Sequence, residues 1–329
     1  MDKEKSKLIL STSPHIKSDE SVSKIMLSVI ITLLPAAAFS VFLFGSYVLL
    51  LYAVSVATCL LSEYLVVRLR KRPYTLNDYS AVLTGVLLVM VLPPRFPVYG
   101  VILGGVVSIV IGKQIFGGLG YNIFNPALVG RAFLAATYPV FISSYIAPNI
   151  SLPMLTGAEA VDALSTATPL ALMKFDGIST PLGSLFFGTI GGSIGATSAF
   201  FLILGSIYLF VKKYIKWRTP ASIFITVFVL SQILHFINPD RFPSGLFQLF
   251  AGGLMIGGLY MATDMVTSPL TKKGCIIFGA GIGALVVLIR NFGGLPEGVM
   301  YAILFMNAWV PLINRGTRPR IFGTGAQHE

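Results

Sequence analysis

Seven residues, Asp162-Ala163-Leu164-Ser165-Thr166-Ala167-Thr168, gather three hydroxyls and one carboxylate in the one long polar loop of an otherwise apolar chain. A threonine hydroxyl can be esterified, and Asp162, six residues before Thr168, could orient it. By residue type alone the stretch also reads as an ordinary Ser/Thr turn. Ser193-Ile194-Gly195-Ala196-Thr197 has a similar ending, but it lies within an apolar run, and Gly191 stands where the acid would be.

The next candidates are ionisable residues in or beside apolar runs: Glu63, Asp78, Arg131, Asp264 and Glu297. A charge near the centre of a bilayer costs roughly 3 kcal/mol or more, so it faces a partner or a cavity. Arg131 follows Asn125-Pro126 by about one and a half helical turns. It needs either a ligand or a carboxylate from another span. Asp78 and Asp264 read as helix-end caps or as groups facing a ligand or cation, Glu63 as a snorkelling or paired residue at a helix end, and Glu297, after Pro296, as a first-turn helix acid. Catalytic residues in the ordinary sense are not expected. His15 and His235 belong to no nucleophilic triad, and no Gly-x-Gly-x-x-Gly follows a strand, which puts NAD(H) binding elsewhere. Cys59 and Cys275 lack the spacing of a metal or cluster site and read as small buried hydrophobes, so iron and sulfur in any electron path belong to a partner.

What must position these residues is an all-α integral membrane protein. Of 329 residues 55% are hydrophobic and 11% charged, and mean hydropathy is +0.82, a composition incompatible with a soluble globule. Ten apolar runs are expected to span: 25–44, 47–67, 80–92, 98–112, 125–142, 182–211, 221–237, 246–261, 274–289 and 299–313. The runs 80–92 and 98–112 flank Pro93, Pro94 and Pro97 and are too short for a full crossing. Broken helices survive at membrane depth only where they are buried in protein or line a cavity.

A net charge of +11 could suggest nucleic acid, but its distribution points to membrane topology instead. Nineteen of the 24 Lys and Arg fall on one alternate set of loops and four on the other, with Arg131 inside a span. The positive-inside rule then puts both termini in the cytoplasm of a prokaryotic cell. The expected organisation is a cytoplasmic arm (1–24), five spans (25–142), an extracytoplasmic loop (143–181), five more spans (182–313) and a cytoplasmic tail (314–329). The first twenty residues have neither the apolar core nor the cleavage site of a signal peptide.

The two five-span sections are related. Phe116-Gly117-Gly118-Leu119 recurs as Phe292-Gly293-Gly294-Leu295, each copy preceded by a basic residue, Lys113 or Arg290. At nearly the same offset Pro94 matches Pro269, Gly100 matches Gly274 and Gly104 matches Gly279. Five spans per copy force the second to enter from the opposite side, giving inverted repeats with sites expected at broken helices.

Four segments carry a family resemblance: Gly120-Tyr121-Asn122-Ile123-Phe124-Asn125-Pro126-Ala127, Gly192-Ser193-Ile194-Gly195-Ala196-Thr197-Ser198, Ala262-Thr263-Asp264-Met265-Val266-Thr267-Ser268-Pro269, and Ile289-Arg290-Asn291-Phe292-Gly293-Gly294-Leu295-Pro296-Glu297-Gly298. With them the chain resembles the RnfD/NqrB family from Ser11 to Pro311. In that family the D-x-x-S-x-A-T signal is where a flavin transferase joins FMN, through its phosphate, to the last threonine. The resemblance therefore implies covalent FMN on Thr168, with Asp162, Ser165 and Ala167 forming the transferase's recognition sequence. It also implies a second, non-covalent flavin such as riboflavin, for which Asn125, Arg131, Asp264 and Thr267 are the candidate ligands.

The implied activity is that of a membrane component of an ion-translocating ferredoxin:NAD oxidoreductase of the Rnf type. Its partners would be iron-sulfur and flavin subunits, the transferase, lipid, and Na+ or H+ as coupling ion. The chain departs from the pattern at Thr166, where a small residue is usual, at Ala196, where Glu is usual, and at Met265, where Pro is usual. The long N-terminal extension of NqrB proteins is absent, which favours the Rnf type. Two alternatives stay open: an NqrB-type component of an NADH:quinone reductase, and a non-redox channel or carrier that leaves Thr168 unmodified.

Overall fold

A computed structural model describes residues 20–72, 76–148, 165–239 and 241–319. Every apolar run of the sequence is helical, but three are broken. Helices α1 (Val22–Phe44) and α2 (Ser46–Leu69) are long and uninterrupted, separated only by Gly45, whose φ of 87° ends α1. Helices α3 (Ser80–Met90) and α4 (Val98–Ile109) are the short pair around the prolines, and α4 runs on through a π turn, Val110–Gln114. The run 125–142 divides at Pro139 into α5 (Pro126–Thr137) and α6 (Pro139–Ser143). A two-residue strand, β1 (Tyr145–Ile146), then pairs antiparallel with β2 (Ser165–Thr166), Tyr145 opposite Thr166.

The second section distributes its long and broken helices differently. After α7 (Pro169–Ala171) and a π turn, Leu172–Asp176, the run 182–211 breaks into α8 (Leu182–Phe187) and α9 (Ala199–Val211). Helix α10 (Arg218–Ile237) is long, while the run 246–261 becomes α11 (Gly245–Phe250), α12 (Leu254–Ile256) and a third π turn, Gly257–Met261. The chain closes with α13 (Lys272–Phe292) and α14 (Val299–Gly316). Among the described residues four helices, α1, α2, α10 and α13, are long and apolar enough to cross a membrane by themselves.

Glycines set how closely the helices approach. A Cβ on Gly130 of α5 would stand 2.6 Å from the carbonyl oxygen of Gly104 in α4, and one on Gly279 of α13 would stand 2.6 Å from that of Thr219 in α10. The sections meet where α1 crosses α9, at Gly205 against the Thr32 carbonyl. The unwound stretches between α3 and α4 and between α8 and α9 are buried, with Leu92, Phe96 and Ile194 all fully enclosed. They satisfy each other: the Ile194 N–H donates to Leu92 O at 2.9 Å and the Gly195 N–H to Met90 O at 2.6 Å. This is the condition under which irregular backbone persists inside a membrane.

Helix α10 also settles the relative direction of the repeats. Lys113, at the end of the α4 helix, shares a cavity with Tyr214 and Ile215, just before α10, whereas Arg290, at the matching end of α13, shares one with Arg241 and Phe242, just after it. Twenty residues of helix, about 30 Å, separate the two. The matching helix ends therefore point in opposite directions, as inverted repeats require.

Candidate functional site

Two clusters of buried charge lie at the two ends of the molecule. At the first end, Lys113 Nζ donates to Glu63 Oε1 at 2.7 Å and to Ser80 Oγ at 2.5 Å, and Gln114 Nε2 donates to the same carboxylate oxygen at 3.2 Å. Asp78, just ahead of α3, accepts at Oδ1 from the Ser80 N–H and hydroxyl. Beside this network opens a narrow cavity of about 70 Å³, lined by Lys113, Asn122, Asn125, Tyr260 and Asp264 among others.

Three of the four candidate second-flavin residues gather there. Asn125 caps α5, its Oδ1 accepting from the Ala127 N–H at 3.1 Å, while its Nδ2 donates to Met261 O at 3.2 Å. Pro126 at the first helical position suits that start. Asp264 Oδ2 accepts from Thr267 Oγ1 at 3.2 Å, and Asn307, with its amide oriented to satisfy both neighbours, donates to Thr267 O and accepts from the Asn125 N–H. Asn125 and Asp264 face the cavity, and Thr267 holds Asp264 in place. Met265, one of the departures from the family pattern, lines the same cavity.

Arg131 does not join them. It points toward the other end, where its Nη2 donates to Glu297 Oε2 at 2.8 Å. Its partner is a carboxylate, but one from the loop between α13 and α14 rather than from another span. Glu297, expected only as a first-turn helix acid, is the partner and also accepts from the Gly253 N–H. Arg290 is 3% exposed and donates from Nη1 to Gln248 O at 2.6 Å and Oε1 at 3.0 Å, and from Nη2 to Ala251 O at 2.9 Å. Tyr145 of β1 feels this cluster: burial first, then the Glu297 charge, push its hydroxyl up to about 12.

Thr168 belongs to this second end. It caps α7, Oγ1 accepting from the Ala171 N–H at 3.2 Å, and is half-buried, with Ala167 exposed beside it. Two residues on, Leu170 packs with Leu185, Phe247 and Ala251. It lies 2.6 Å from where a Cβ on Gly252 would stand, and that position is 3.2 Å from both Arg290 Nη2 and Glu297 Oε1. Lys174 Nζ clamps the segment by donating to Gly293 O at 2.5 Å and Leu295 O at 3.0 Å, and burial lowers its pKa. Thr166 packs against Gly191. Of the remaining recognition residues, Ser165 contributes the backbone of β2, and Asp162 lies outside the described residues.

The look-alike threonine, Thr197, is 3% exposed and sits in the unwound stretch between α8 and α9, not in a continuous sixth span. An enzyme working at the surface has no access to it. Ala196 lies in the main apolar core at 9% exposure. Sequence spacing missed the partners Lys113, Gln248 and Asn307. The one available signal was the basic residue before each Phe-Gly-Gly-Leu copy.

These features define a polytopic, helical membrane protein with inverted halves and a polar cavity at one end. The chain belongs to the NQR2, RnfD, RnfE family, whose model matches residues 9–323. It is 46% identical to the D component of the proton-translocating ferredoxin:NAD(+) oxidoreductase complex of Clostridium ljungdahlii, over 96% of each chain. To the D component of the Na(+)-translocating ferredoxin:NAD(+) oxidoreductase complex of Acetobacterium woodii it is 41% identical, over 96% of this chain and 95% of that one. The D component of the ion-translocating oxidoreductase complex of Actinobacillus succinogenes is 36% identical, over 96% and 98% respectively.

Proposed function

We propose that this protein is the RnfD component of an Rnf-type ferredoxin:NAD oxidoreductase, carrying FMN as a phosphoryl ester of Thr168 and passing electrons to neighbouring subunits in step with ion movement. The observation that carries the reading is the position of Thr168. Its hydroxyl is half-buried at the molecular end opposite the basic loops, on a segment clamped by Lys174 and Leu170. By the positive-inside rule the basic end, where α1 begins and α14 finishes, is cytoplasmic, and the Thr168 end faces outward. A tether suits that side, since a free flavin released there would be diluted away.

The flavin supplies the redox chemistry. The chain's contribution is placement: Thr168 fixes the outer cofactor, and the cavity of Asn125, Asp264 and Thr267 receives a second, non-covalent flavin at the cytoplasmic end. The two sites lie on opposite sides of the membrane, so electrons moving between them cross it. The similar relatives include both a proton- and a Na+-translocating complex, and the coupling ion follows from neither name.

Expression with a flavin transferase, followed by intact mass and in-gel fluorescence, tests the assignment. The wild-type band is expected to fluoresce and to be heavier by one FMN less water, and Thr168→Ala to lose both. An unmodified, colourless wild type under those conditions would favour a non-redox carrier.

A further inference from the structure

At the outer end a second cavity, about 180 Å³, lies between the segment that follows Thr168 and the loops beyond α10 and α13. One wall is Leu170, Met173, Lys174 and Phe175, the other Arg241, Phe242, Arg290 and Pro296. Three lining residues are cationic and none of the described lining residues is acidic. Arg290 is almost wholly buried, its η nitrogens are held by neutral oxygens, and its Nε has no hydrogen-bond partner among the described residues. A buried N–H left without an acceptor is costly and calls for an explanation. Phe175, 66% exposed, offers an aromatic face at the rim, and the Arg241 guanidinium lies 5.3 Å from the Phe242 ring.

We propose that this cavity seats the ring system of the Thr168-linked flavin, its electron-rich pyrimidine edge toward Arg290, Lys174 and Arg241 and its flat face against Phe175; the inference rests on FMN being attached at Thr168. The chemistry of the walls fits such a guest. An aromatic flank takes the apolar dimethylbenzene side of a flat heterocycle. Three cations with no lining carboxylate favour a ring that gains negative charge on reduction. Leu170 begins the wall only two residues from Thr168, so the tether delivers the ring to the cavity it must enter.

The test uses the full protein made with a flavin transferase, comparing wild type with Arg241→Ala, Lys174→Ala and Phe175→Ala. Arg241 is the cleanest site, since its side chain is exposed and lies on the Phe242 ring. Intact mass establishes the FMN load. Quenching of flavin fluorescence by acrylamide, a neutral probe, and the midpoint potential then report the ring's surroundings. The variants are expected to keep FMN but to show acrylamide quenching raised about two- to threefold for Phe175→Ala. The midpoint potential is expected to fall for Arg241→Ala and Lys174→Ala. A full FMN load with quenching and potential unchanged in all three would overturn the seat while leaving the attachment intact. A wild type without FMN would overturn both.

Discussion

The two halves place a buried cation at the same point of the same helix, yet treat its charge differently. In the first half Lys113 pairs directly with a carboxylate, Glu63, and Asp78 lies one hydroxyl beyond it. In the second, Arg290 is held by carbonyl and amide oxygens while the nearby carboxylate, Glu297, pairs with Arg131, leaving two guanidiniums to one acid. A duplicated scaffold has thus kept the position of the charge and changed its neutralisation. The directly paired lysine borders the cavity of Asn125 and Asp264, and the cluster of two guanidiniums and one acid borders Thr168.

The largest effect that would break this contrast is expected from Glu297→Gln, which leaves Arg131 and Arg290 buried without their acid. Losing one partner of a buried pair costs about 3–5 kcal/mol, so the thermal midpoint in detergent should fall by far more than for any surface variant. Lys113→Met should cost about 3 kcal/mol by stranding Glu63, but adding Glu63→Leu should restore stability to within about 1 kcal/mol, because removing a neutral pair whole is nearly free. No single compensating change exists at the Arg131–Glu297–Arg290 cluster. If Glu297→Gln is also rescued by one apolar substitution at Arg131, the asymmetry between the halves is wrong.

The smallest effect concerns the start of α1. Glu20 Oε2 accepts from the Tyr214 hydroxyl at 2.6 Å, and that bond, ahead of Lys24, lowers the carboxyl's pKa below 4.5. A depressed carboxyl pKa stabilises above the unfolded value and loses that contribution as pH falls through the folded one. Protection factors of the amides in the first turn of α1, corrected for intrinsic exchange, should therefore fall as pH drops through the carboxylate range in wild type. Tyr214→Phe should show less of this change.

How much of this could be read beforehand depends on the range of the interaction. The apolar runs, the prolines flanking α3 and α4, and the basic residue before each repeat copy are local patterns, and helices and repeat followed from them. The Ser/Thr-rich loop with Thr168 stood out because it is polar inside an apolar chain. Arg131 and Glu297 were each visible as charges, but their pairing spans 166 residues and no spacing rule encodes it. The same holds for Asn307, which links Asn125 to Thr267 from the far end of the chain. Breaks within the runs 182–211 and 246–261 were hidden because glycine-rich, apolar sequence looks alike whether helical or unwound.

The paired breaks also constrain how the protein is made. Met90 O and Leu92 O receive their donors from Gly195 and Ile194, which leave the ribosome about a hundred residues later. Until then the first half holds open carbonyls at membrane depth, so the nascent chain reaches its final form only when the second half threads in beside it. The carbonyls of the first break are therefore satisfied only once the second half is in place, so closure of the fold is a late event rather than the sum of two independent foldings.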